Sequence, residues 1–441
     1  MLPEHSPRDA PTDPPYFAHM THFLDELGWR GLLHQSTEGA AAALAAGPVT
    51  GYVGFDPTGS SLHVGHLVQV MGLVHLQRAG HRPVMLVGGG TGMIGDPSGK
   101  SAERNLLTLD QVGENAAAIQ RQLEPFLDFS GAAGALMRNN ADWLMKLSLV
   151  EFLRDVGKHF SINMMLAKDS VRSRMDVGIS YTEFSYMLLQ AYDFLQLHLR
   201  DGVTLQMGGS DQWGNITAGT ELVRRSVGRD VFGVTLPLVT TADGRKFGKT
   251  AEGTSVWLDA ARTSPYKFYQ FWINADDRNA GEYLRMFTLM SREEVEALDR
   301  AVEERPEKRE AQAALAMEVT SRVHGEAAAQ AAREASRVVF DRKADVRQLP
   351  LRVIEMLRGE LPGAVLPAGE GLPVLDVLTG SGLVKSRGEA RRQLQQGAIS
   401  VNGRRLGAEE LVVARHEAVH DRFFVVRKGG REVAIGELPA S

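Results

Sequence analysis

The sequence contains no cysteine in its 441 residues, so disulfide bonds and cysteine-ligated zinc are excluded. It also lacks any uninterrupted apolar stretch near the roughly 18 residues that a membrane-spanning helix needs. Residues 1–15 have neither the basic start nor the apolar core of a signal peptide, and their three acidic residues are unlike a transit peptide. We therefore expect a cytoplasmic protein without membrane association, in which residues 1–15 form a disordered extension.

Strong net charge is absent as well: the chain carries −5 at neutral pH, which argues against nucleic acid being bound along its whole length. The charge is uneven, however. Between Ser381 and Arg431 there are eleven Lys or Arg residues against five Asp or Glu residues. A basic C-terminal region on an acidic body predicts one nucleic-acid-binding module, although a solvated charged surface would give the same count.

Strand and helix patterns alternate early in the chain. The apolar run Thr50–Phe55, a turn, a helix and the apolar run Pro83–Val87 form a βαβ unit, which implies a parallel sheet. We expect Ser60 or Ser61 to cap that helix, which ends near Ala79.

Two histidines follow the first predicted strand, in the segment His63-Val64-Gly65-His66. A helix N-terminus offers free N–H groups and a positive dipole end to anions, and residues three apart lie on one helix face. Gly65 leaves room for a flat ligand ring against the backbone. The pattern suits a nucleoside triphosphate better than zinc, whose helix motif needs a following glutamate. Two structural histidines remain the alternative.

A glycine-rich loop follows the second strand. Gly90–Gly95 matches the dinucleotide fingerprint, but a proline and a glycine stand where the helix should begin. Gly99–Ser101 resembles the end of a P-loop, but the first glycine of that motif is missing. The loop therefore offers Asp96, which suits a substrate ammonium, and the cations Lys100 and Arg104, which suit phosphates.

Tyr186, Gln190 and Asp193 stand at helical spacing and so share one face of a predicted helix. Polar groups on an otherwise apolar face cost free energy unless they meet polar partners. The stripe indicates either a binding site or a solvent-facing surface. A further strand-end loop, residues 208–215, places Asp211 where it suits ribose hydroxyls.

The segment Asp243–Thr250 is rich in glycine and carries Lys246 and Lys249 three residues apart. A mobile loop that brings lysines to a transferring phosphate stabilises the charge on that phosphate. An ordinary exposed basic loop would have the same composition.

Together, in this order, these segments closely resemble the class I aminoacyl-tRNA synthetases, and among them the bacterial-type tyrosyl family. His63–His66 is similar to the HIGH signature, and Lys246–Thr250 is similar to the KMSKS loop in its tyrosyl variant. The loops Thr91–Lys100 and Gly208–Asn215 are similar to tyrosyl-family motifs almost letter for letter. The resemblance runs from about Tyr16 to the C-terminus.

The resemblance implies that L-tyrosine attacks ATP to give tyrosyl-adenylate and pyrophosphate, and that tRNA(Tyr) then accepts the tyrosyl group on its terminal adenosine. The residues implied in tyrosine binding are Tyr52, Asp96, Tyr186, Gln190 and Asp193. Those implied in binding ATP and the adenylate are Gly54, Asp56, His63, His66, Gly209, Asp211, Gln212 and Lys249. Those implied in catalysis are Thr58, His63, His66, Lys100, Arg104, Lys246, Lys249 and Thr250.

The same resemblance implies that Mg²⁺ accompanies ATP, that no cofactor is tightly bound and no metal is held by the protein, and that the chain forms a homodimer. Residues Leu372–Ile435 resemble the alpha-L type RNA-binding module of a small-subunit ribosomal protein, in agreement with the charge count. The RNA-binding residues implied are Lys385, Arg387, Arg391, Arg392, Arg404 and Arg405.

The predicted fold class is α/β, with a Rossmann-like parallel-sheet catalytic domain followed by an α-helical domain and a small α+β RNA-binding domain. The expected boundaries are 1–15 for the extension, 16–240 for the catalytic domain with a helical connective insertion, 241–252 for the mobile lysine loop, 253–345 for the helical domain on the anticodon side, 346–371 for a linker and 372–441 for the RNA-binding domain.

Three alternatives stay open at this point. A tryptophanyl-tRNA synthetase shares the fold, but it should lack the Tyr52/Asp193 pair and usually the C-terminal module. An RNA-binding protein that kept the catalytic fold as a scaffold should have lost the histidines and loop lysines. A generic nucleotidylyltransferase shares the His-x-Gly-His segment but does not need the RNA module.

Overall fold

The computed structural model describes residues 22–98, 107–172, 175, 178–244, 247–249, 253–341, 344–365, 371–430 and 432–439. The chain forms two compact units, residues 1–240 and 241–441. Across the described residues, no helix has both the length and the apolar character that crossing a membrane requires.

The first unit is built around a six-stranded sheet. Its strands are β1 (Gln35–Ser36), β2 (Thr50–Phe55), β3 (Arg82–Val87), β4 (Leu136–Asn139), β5 (Leu205–Gly209) and β6 (Phe232–Leu236). The spatial order is β1-β6-β5-β2-β3-β4. All neighbouring pairs are parallel except β1 with β6, which is antiparallel. The parallel sheet predicted from the βαβ pattern is confirmed.

Helices surround this sheet. They are α1 (Phe23–Trp29), α2 (Ala40–Ala46), α3 (Leu67–Arg78), α4 (Leu109–Leu123), α5 (Ala141–Leu144), α6 (Leu149–Glu151), α7 (Ile162–Leu166), α8 (Asp169–Arg172), α9 (Tyr181–Asp201) and α10 (Trp213–Val227). Phe152–Val156 forms one turn of π-helix. α9 begins because the Ser180 side chain accepts a hydrogen bond from the Glu183 N–H, and it ends at Gly202, whose φ is +66°.

The helix after β2 starts later than the sequence predicted. Ser61 donates its hydroxyl to the Leu62 carbonyl at 2.7 Å instead of capping a helix, and the Leu62 N–H is bound by the Gln122 side chain of α4 at 2.9 Å. These contacts hold the segment out of the helix. His63 caps a 3₁₀ turn, Val64–His66, and α3 follows at Leu67.

The second unit begins with a set of packed helices. These are α11 (Pro265–Ile273), α12 (Asp277–Phe287), α13 (Arg292–Glu304), α14 (Glu310–His324), α15 (Glu326–Phe340) and α16 (Leu351–Glu360). α11 packs on α14 and α15, and α12 packs on α13 and α14. Side-chain caps set the start of several of these helices. Ser291, for example, forms a capping box with Glu294 at the start of α13.

The segment 346–371, predicted as a linker, contains regular structure. α16 occupies Leu351–Glu360, and a strand follows at Gly363–Val365. Two prolines of this segment stand at the borders of the helix: Pro350 is its N-cap residue, and Pro362 follows its C-cap. Proline is tolerated at both places because no helical N–H is needed there.

A small α+β module completes the second unit. Its strands are β7 (Gly363–Val365), β8 (Gly371–Pro373), β9 (Ile399–Val401), β10 (Arg404–Arg405), β11 (Val412–Ala414), β12 (Phe423–Lys428) and β13 (Glu432–Glu437), and its helices are α17 (Val374–Gly380) and α18 (Arg387–Gln395). Five strands form a sheet in the order β10-β9-β12-β13-β7, and β8 pairs with β11.

The helices and the module share a core in the second unit. Val338 of α15 and Ile354 of α16 pack in the same buried cluster as Phe423 and Ile435 of the module sheet. The buried Arg427 guanidinium also donates to the carbonyl of Val338, at the end of α15. The last four carbonyls of an α-helix have no partner within the helix, so Arg427 supplies a donor for one of them at the end of α15.

Candidate active site

The strand order creates an opening at the carboxyl end of β2. β2 pairs with β3 on one side and β5 on the other, and the chain continues outward to β4 and to β6. Loops that leave β2 and β5 therefore diverge and leave a crevice between them, which is where open α/β sheets bind ligands. Gly54, near the end of β2, is exposed, and a Cβ there would meet no atom within 4 Å. Open space thus reaches the backbone of the central strand.

A buried carboxylate, Asp193 of α9, lies at the base of this region. Its Oδ1 accepts a hydrogen bond from the Trp143 indole at 2.7 Å, and its Oδ2 accepts one from the Asn140 amide at 2.9 Å. Burial raises the pKa of Asp193 to about 7, while the two hydrogen bonds lower it and the Asp56 charge raises it further. Two donors leave acceptor capacity on the carboxylate, because an ionised carboxyl can accept about four hydrogen bonds.

An unpaired hydroxyl accompanies this carboxylate. Tyr52 of β2 is 1% exposed, and its ring packs edge-on against Phe194 with centroids 5.3 Å apart. Its hydroxyl has no hydrogen-bond partner. Burial and the nearby Asp193 charge raise the pKa of Tyr52 well above its ordinary value. Buried polar groups without a partner are rare and costly, so this hydroxyl indicates a position where a polar ligand atom completes the site.

A second set of bonds joins the loops above Asp193. The Tyr186 hydroxyl donates to Asp56 Oδ2 at 2.7 Å, and Thr91 Oγ1 donates to Asp56 Oδ1 at 2.7 Å. Asn140 donates to Thr91 Oγ1 at 2.9 Å and accepts from the Gly90 N–H at 2.7 Å. Asp56 thus ties β2 to α9 and to the loop after β3.

The glycine at the start of that loop permits the close approach. A Cβ on Gly88 would lie 2.1 Å from Asp56 Oδ1, which is far inside the contact distance of real atoms. Only glycine leaves room for the Asp56 carboxylate at this point.

Asp96 belongs to a chain of amides between the loops after β3 and β5. Gln212 donates to Asp96 Oδ2 at 2.6 Å, and Gln190 donates to Gln212 Oε1 at 3.2 Å. Asn215 donates to Gln190 Oε1 at 3.0 Å, and the Ser98 N–H donates to Asp96 Oδ1 at 2.9 Å. The Asp96 carboxylate is therefore oriented by the Gln212 amide and the Ser98 N–H, and Gln212 is in turn bound by Gln190 of α9.

The two histidines stand at the start of α3 with their rings close together. The ring centroids are 4.0 Å apart. The His63 Nδ1 accepts from the Gly65 N–H, and the His66 Nδ1 accepts from the His63 N–H, both at 3.1 Å. Because each Nδ1 is an acceptor, a neutral ring carries its proton on Nε2. Each imidazole can therefore act as a donor through Nε2.

Further predicted residues lie at the same edge of the sheet. Thr58 is exposed just after β2, and Asp211 and Gln212 form a 3₁₀ turn directly after β5. A Cβ on Gly209 would lie 2.5 Å from Asp211 Oδ1, so glycine is needed for that turn to fold back on the strand.

The predicted site residues divide into three groups. The first unit brings together Tyr52, Gly54, Asp56, Thr58, His63, His66, Asp96, Tyr186, Gln190, Asp193, Gly209, Asp211 and Gln212. Lys249 is exposed and belongs to the second unit. Lys100, Arg104, Lys246 and Thr250 lie outside the described residues.

Two residues from different implied sets are bound to each other. The resemblance implies Tyr186 in tyrosine binding and Asp56 in binding ATP and the adenylate. In the structure the Tyr186 hydroxyl donates to Asp56, and Asp56 also accepts from Thr91. The two sets are therefore joined by a direct hydrogen bond.

Sequence reasoning missed Asn140 and Trp143, the two donors to Asp193. Both follow β4, at the same edge of the sheet as the other loops. The signal was the position of residues 140–143 directly after a strand, but β4 has only four residues, none of them fully buried. A strand that short gives little periodicity to read.

In the part of the chain that the structure describes, no group of three or more His, Asp or Glu side chains is arranged to hold a metal ion.

Comparison with known families agrees with this architecture. Residues 44–341 match the family described as "tRNA synthetases class I (W and Y)", and residues 354–435 match "Tyrosine--tRNA ligase SYY-like C-terminal domain". The chain belongs to the class I tRNA synthetases of this tryptophan and tyrosine group.

Relatives of similar length narrow the class further. The chain is 52% identical to a tyrosine–tRNA ligase of Anaeromyxobacter dehalogenans (strain 2CP-1) over 94% of this chain and 99% of that protein. It is 50% identical to the Geobacillus stearothermophilus tyrosine–tRNA ligase over 93% and 98%. The truncated mitochondrial tyrosyl-tRNA synthetase of Aspergillus nidulans superposes with a TM-score of 0.66 at 30% identity, covering 72% of this chain and 94% of that one. Within the class, these matches place the chain among the tyrosine–tRNA ligases.

The raised pKa of Asp193 predicts how stability depends on pH. The folded state holds the Asp193 proton up to about pH 7, whereas an unfolded Asp releases it near its ordinary pKa of about 4. As the pH rises from about 4 to about 7, the unfolded state has lost this proton and the folded state still holds it. The free energy of unfolding should therefore fall by about 1.4 kcal/mol for each unit of pH increase because of Asp193. Asp193→Asn should remove that dependence, as measured by urea denaturation across the range.

A constant difference in unfolding free energy between the wild type and Asp193→Asn at every pH would contradict the prediction.

Proposed function

We propose that this tyrosine–tRNA ligase acts by the two-step route of its class, with the residues of the crevice in the roles below. L-Tyrosine and ATP give tyrosyl-adenylate and pyrophosphate, and the 2′ or 3′ hydroxyl of the terminal adenosine of tRNA(Tyr) then takes the tyrosyl group. The observation that carries the choice of amino acid is the unpaired Tyr52 hydroxyl beside Asp193.

A phenol hydroxyl completes this pair. It can accept a hydrogen bond from Tyr52 and donate one to Asp193, so all three groups gain partners. Phenylalanine fills a similar volume but leaves the Tyr52 hydroxyl buried without a partner and gives Asp193 no third hydrogen bond, so the desolvation of the hydroxyl is not compensated. Asn140 and Trp143 act as positioning residues, since they fix the carboxylate that receives the phenol.

The substrate ammonium is assigned to Asp96 and Gln190. Asp96 is partly buried, and its orientation is set by Gln212 and the Ser98 N–H. A fixed carboxylate at the carboxyl end of β3 suits a cation. Tyr186 supports this side through Asp56, and its hydroxyl can turn toward the ligand only by giving up that bond.

The nucleotide is assigned to the crevice along Gly54. The exposed backbone of Gly54 leaves space for the adenosine, and Asp211, Gln212 and Gly209 follow β5 at the same edge. The His63 and His66 Nε2 donors, with Thr58, suit the phosphates. Lys249, together with Lys100, Arg104, Lys246 and Thr250, is assigned to the leaving pyrophosphate.

The chemistry of the site is positioning and charge stabilisation. The tyrosine carboxylate is itself the nucleophile at the α-phosphate, so no side chain needs to form a covalent intermediate. Donors aimed at the phosphate oxygens stabilise the charge that builds up in the transition state. Mg²⁺ is proposed to enter with ATP, held by phosphate oxygens rather than by a protein cage. The protein is proposed to work in the cytoplasm.

A homodimer is proposed from the apolar surface of the first unit. Leu149 is 70% exposed, Val150 73% and Ile162 60%, and Leu153 and Met175 are also exposed. Large apolar side chains exposed within one short stretch of chain are typical of interaction surfaces. A second copy of the chain is the proposed partner, because every copy carries the same surface and a two-fold interface is self-complementary.

RNA binding is proposed for the exposed basic residues of the C-terminal module. Lys385, Arg391 and Arg392 are exposed on or beside α18. Arg404 is less available to RNA, because it forms ion pairs with Glu410 and Glu417 at 2.6 and 3.2 Å. Arg387 pairs with Asp376, and Arg405 donates to the Gly397 carbonyl. We therefore assign most of the RNA contact to the first three.

Amino-acid-dependent ATP–pyrophosphate exchange, without tRNA, tests the substrate assignment. Tyrosine should support exchange, whereas tryptophan and phenylalanine should not. Tyr52→Phe should lower kcat/KM for tyrosine by about tenfold, the value of one hydrogen bond, and leave the KM for ATP unchanged. Exchange with tryptophan, or an equal loss for both substrates in the variant, would contradict the assignment.

Sedimentation velocity tests the homodimer. The wild type should sediment as a dimer, and Leu149→Asp should sediment as a monomer, because a charge in an apolar interface is desolvated without a partner. Val412→Asp is the matched control, since Val412 is also exposed (64%) but lies in the module. Dissociation by both variants, or by neither, would argue against this surface.

Charge reversal at Arg391 and Arg392 tests the RNA assignment. The double variant Arg391→Glu/Arg392→Glu should weaken tRNA binding and reduce its dependence on salt, because fewer phosphate contacts release fewer counterions. Exchange without tRNA should keep its wild-type rate, which shows that the catalytic unit is intact. Unchanged tRNA affinity would remove α18 from the interface.

A further inference from the structure

The lysine loop contains a buried aromatic residue. Phe247 is 4% exposed, although Lys249, two residues later, is exposed. Its ring contacts four other rings, with centroid distances of 5.0 Å to Tyr283, 5.3 Å to Phe287, 5.6 Å to Phe271 and 5.8 Å to Trp272. We call these five residues the aromatic anchor.

The aromatic anchor belongs to the core of the helices in the second unit. Phe271 and Trp272 lie on α11, and Tyr283 and Phe287 lie on α12. Phe287 stacks on Phe247 with the two rings 13° apart, and Phe287 and Trp272 are fully buried. Aromatic side chains bury large areas and pack with defined geometry, so this contact fixes the backbone of Phe247 to α11 and α12.

The described parts of the loop on either side are also held. Before it, the Ala242 N–H donates to Asn279 Oδ1 at 2.8 Å, and Asn279 is on α12. After it, the Val256 N–H donates to the Gly248 carbonyl at 2.9 Å, and Lys249 forms an antiparallel bridge with Ser255. The loop is therefore attached to the same helices at its start and at its centre.

The distance from the anchor to the lysine is short. Two residues of chain span at most about 7 Å, so the backbone of Lys249 cannot move far while Phe247 stays in place. Gly248, between them, has φ +87°, a conformation that residues with a side chain rarely adopt. This glycine sets the direction in which the chain leaves the anchor.

We propose that Phe247 is a positioning residue that fixes Lys249 for its contact with the phosphates of ATP. Through Phe247 the described part of the lysine loop is anchored in the helical core, so the backbone of Lys249 follows the position of α11 and α12. The proposal rests on the proposed function, because Lys249 is assigned to the phosphates there. It adds that the packing of the helical core affects the rate of tyrosine activation.

The competing explanation is that Phe247 only stabilises the fold. A variant of Phe268 on α11 distinguishes this explanation from the proposal, because Phe268 is fully buried and contacts Trp272 but lies outside the aromatic anchor. Phe268→Leu empties a similar volume in the same core without touching the loop. Phe247→Met is the conservative variant, since methionine fills an apolar site flexibly and contacts aromatic rings well.

The test is ATP–pyrophosphate exchange with the full chain and tyrosine, with thermal unfolding measured for every variant. Phe247→Leu should lower kcat by about 10²-fold, the loss that follows a displacement of about 1 Å in a catalytic group, and leave the KM for tyrosine unchanged. Phe247→Met and Phe268→Leu should stay within a few-fold of the wild type. In a Lys249→Ala background, Phe247→Leu should cause no further loss, because its effect passes through that lysine.

Gly248→Ala tests the same proposal without removing any side chain from the core. It strains the link between the anchor and Lys249, and it should lower kcat in the wild type but not in the Lys249→Ala background. Equal losses from Phe247→Leu and Phe268→Leu, or losses that persist when Lys249 is alanine, would overturn the proposal. Absence of exchange in the wild type would instead overturn the proposed function, so the two failures are distinguishable.

Discussion

The parallel pairing of β2 with both β3 and β5 is the constraint on which the site depends. It places β2 at the centre of the sheet and forces the loops on either side of it apart. Tyr52, Gly54 and Asp56 alternate along this strand end and so face the same side. Positions two residues apart are roughly 7 Å apart along a strand. One strand therefore presents the hydroxyl proposed to bind the phenol and the open backbone proposed for the nucleotide, one after the other.

Local features of the sequence were sufficient for much of this arrangement. The βαβ pattern, the glycine-rich strand ends and the Tyr186–Gln190–Asp193 stripe depend on turn chemistry and periodicity within a few residues, and the structure brings them to one edge of the sheet. Distant contacts were not readable. The start of α3 depends on Gln122, about sixty residues away, and the donors to Asp193 follow a strand too short to show a pattern.

In the second unit, amino-acid composition alone gives wrong expectations about which segment is helical and which basic side chains are available. The proline-rich segment predicted as a linker contains α16, whose Val353, Ile354 and Leu357 are part of the buried cluster shared with the module sheet. The basic count likewise overstates the surface offered to RNA, because Arg404 and Arg427 are held by carboxylates and by helix-end carbonyls. Whether a basic side chain is available depends on partners that lie far away in sequence.

The unpaired hydroxyl of Tyr52 also bears on how readily the empty protein unfolds. A ligand that supplies a partner for this hydroxyl removes the cost of a buried polar group, and any ligand bound only by the folded state shifts the equilibrium away from unfolding. If tyrosine binds here as proposed, the empty chain unfolds more often than the loaded one and is the form more open to proteases.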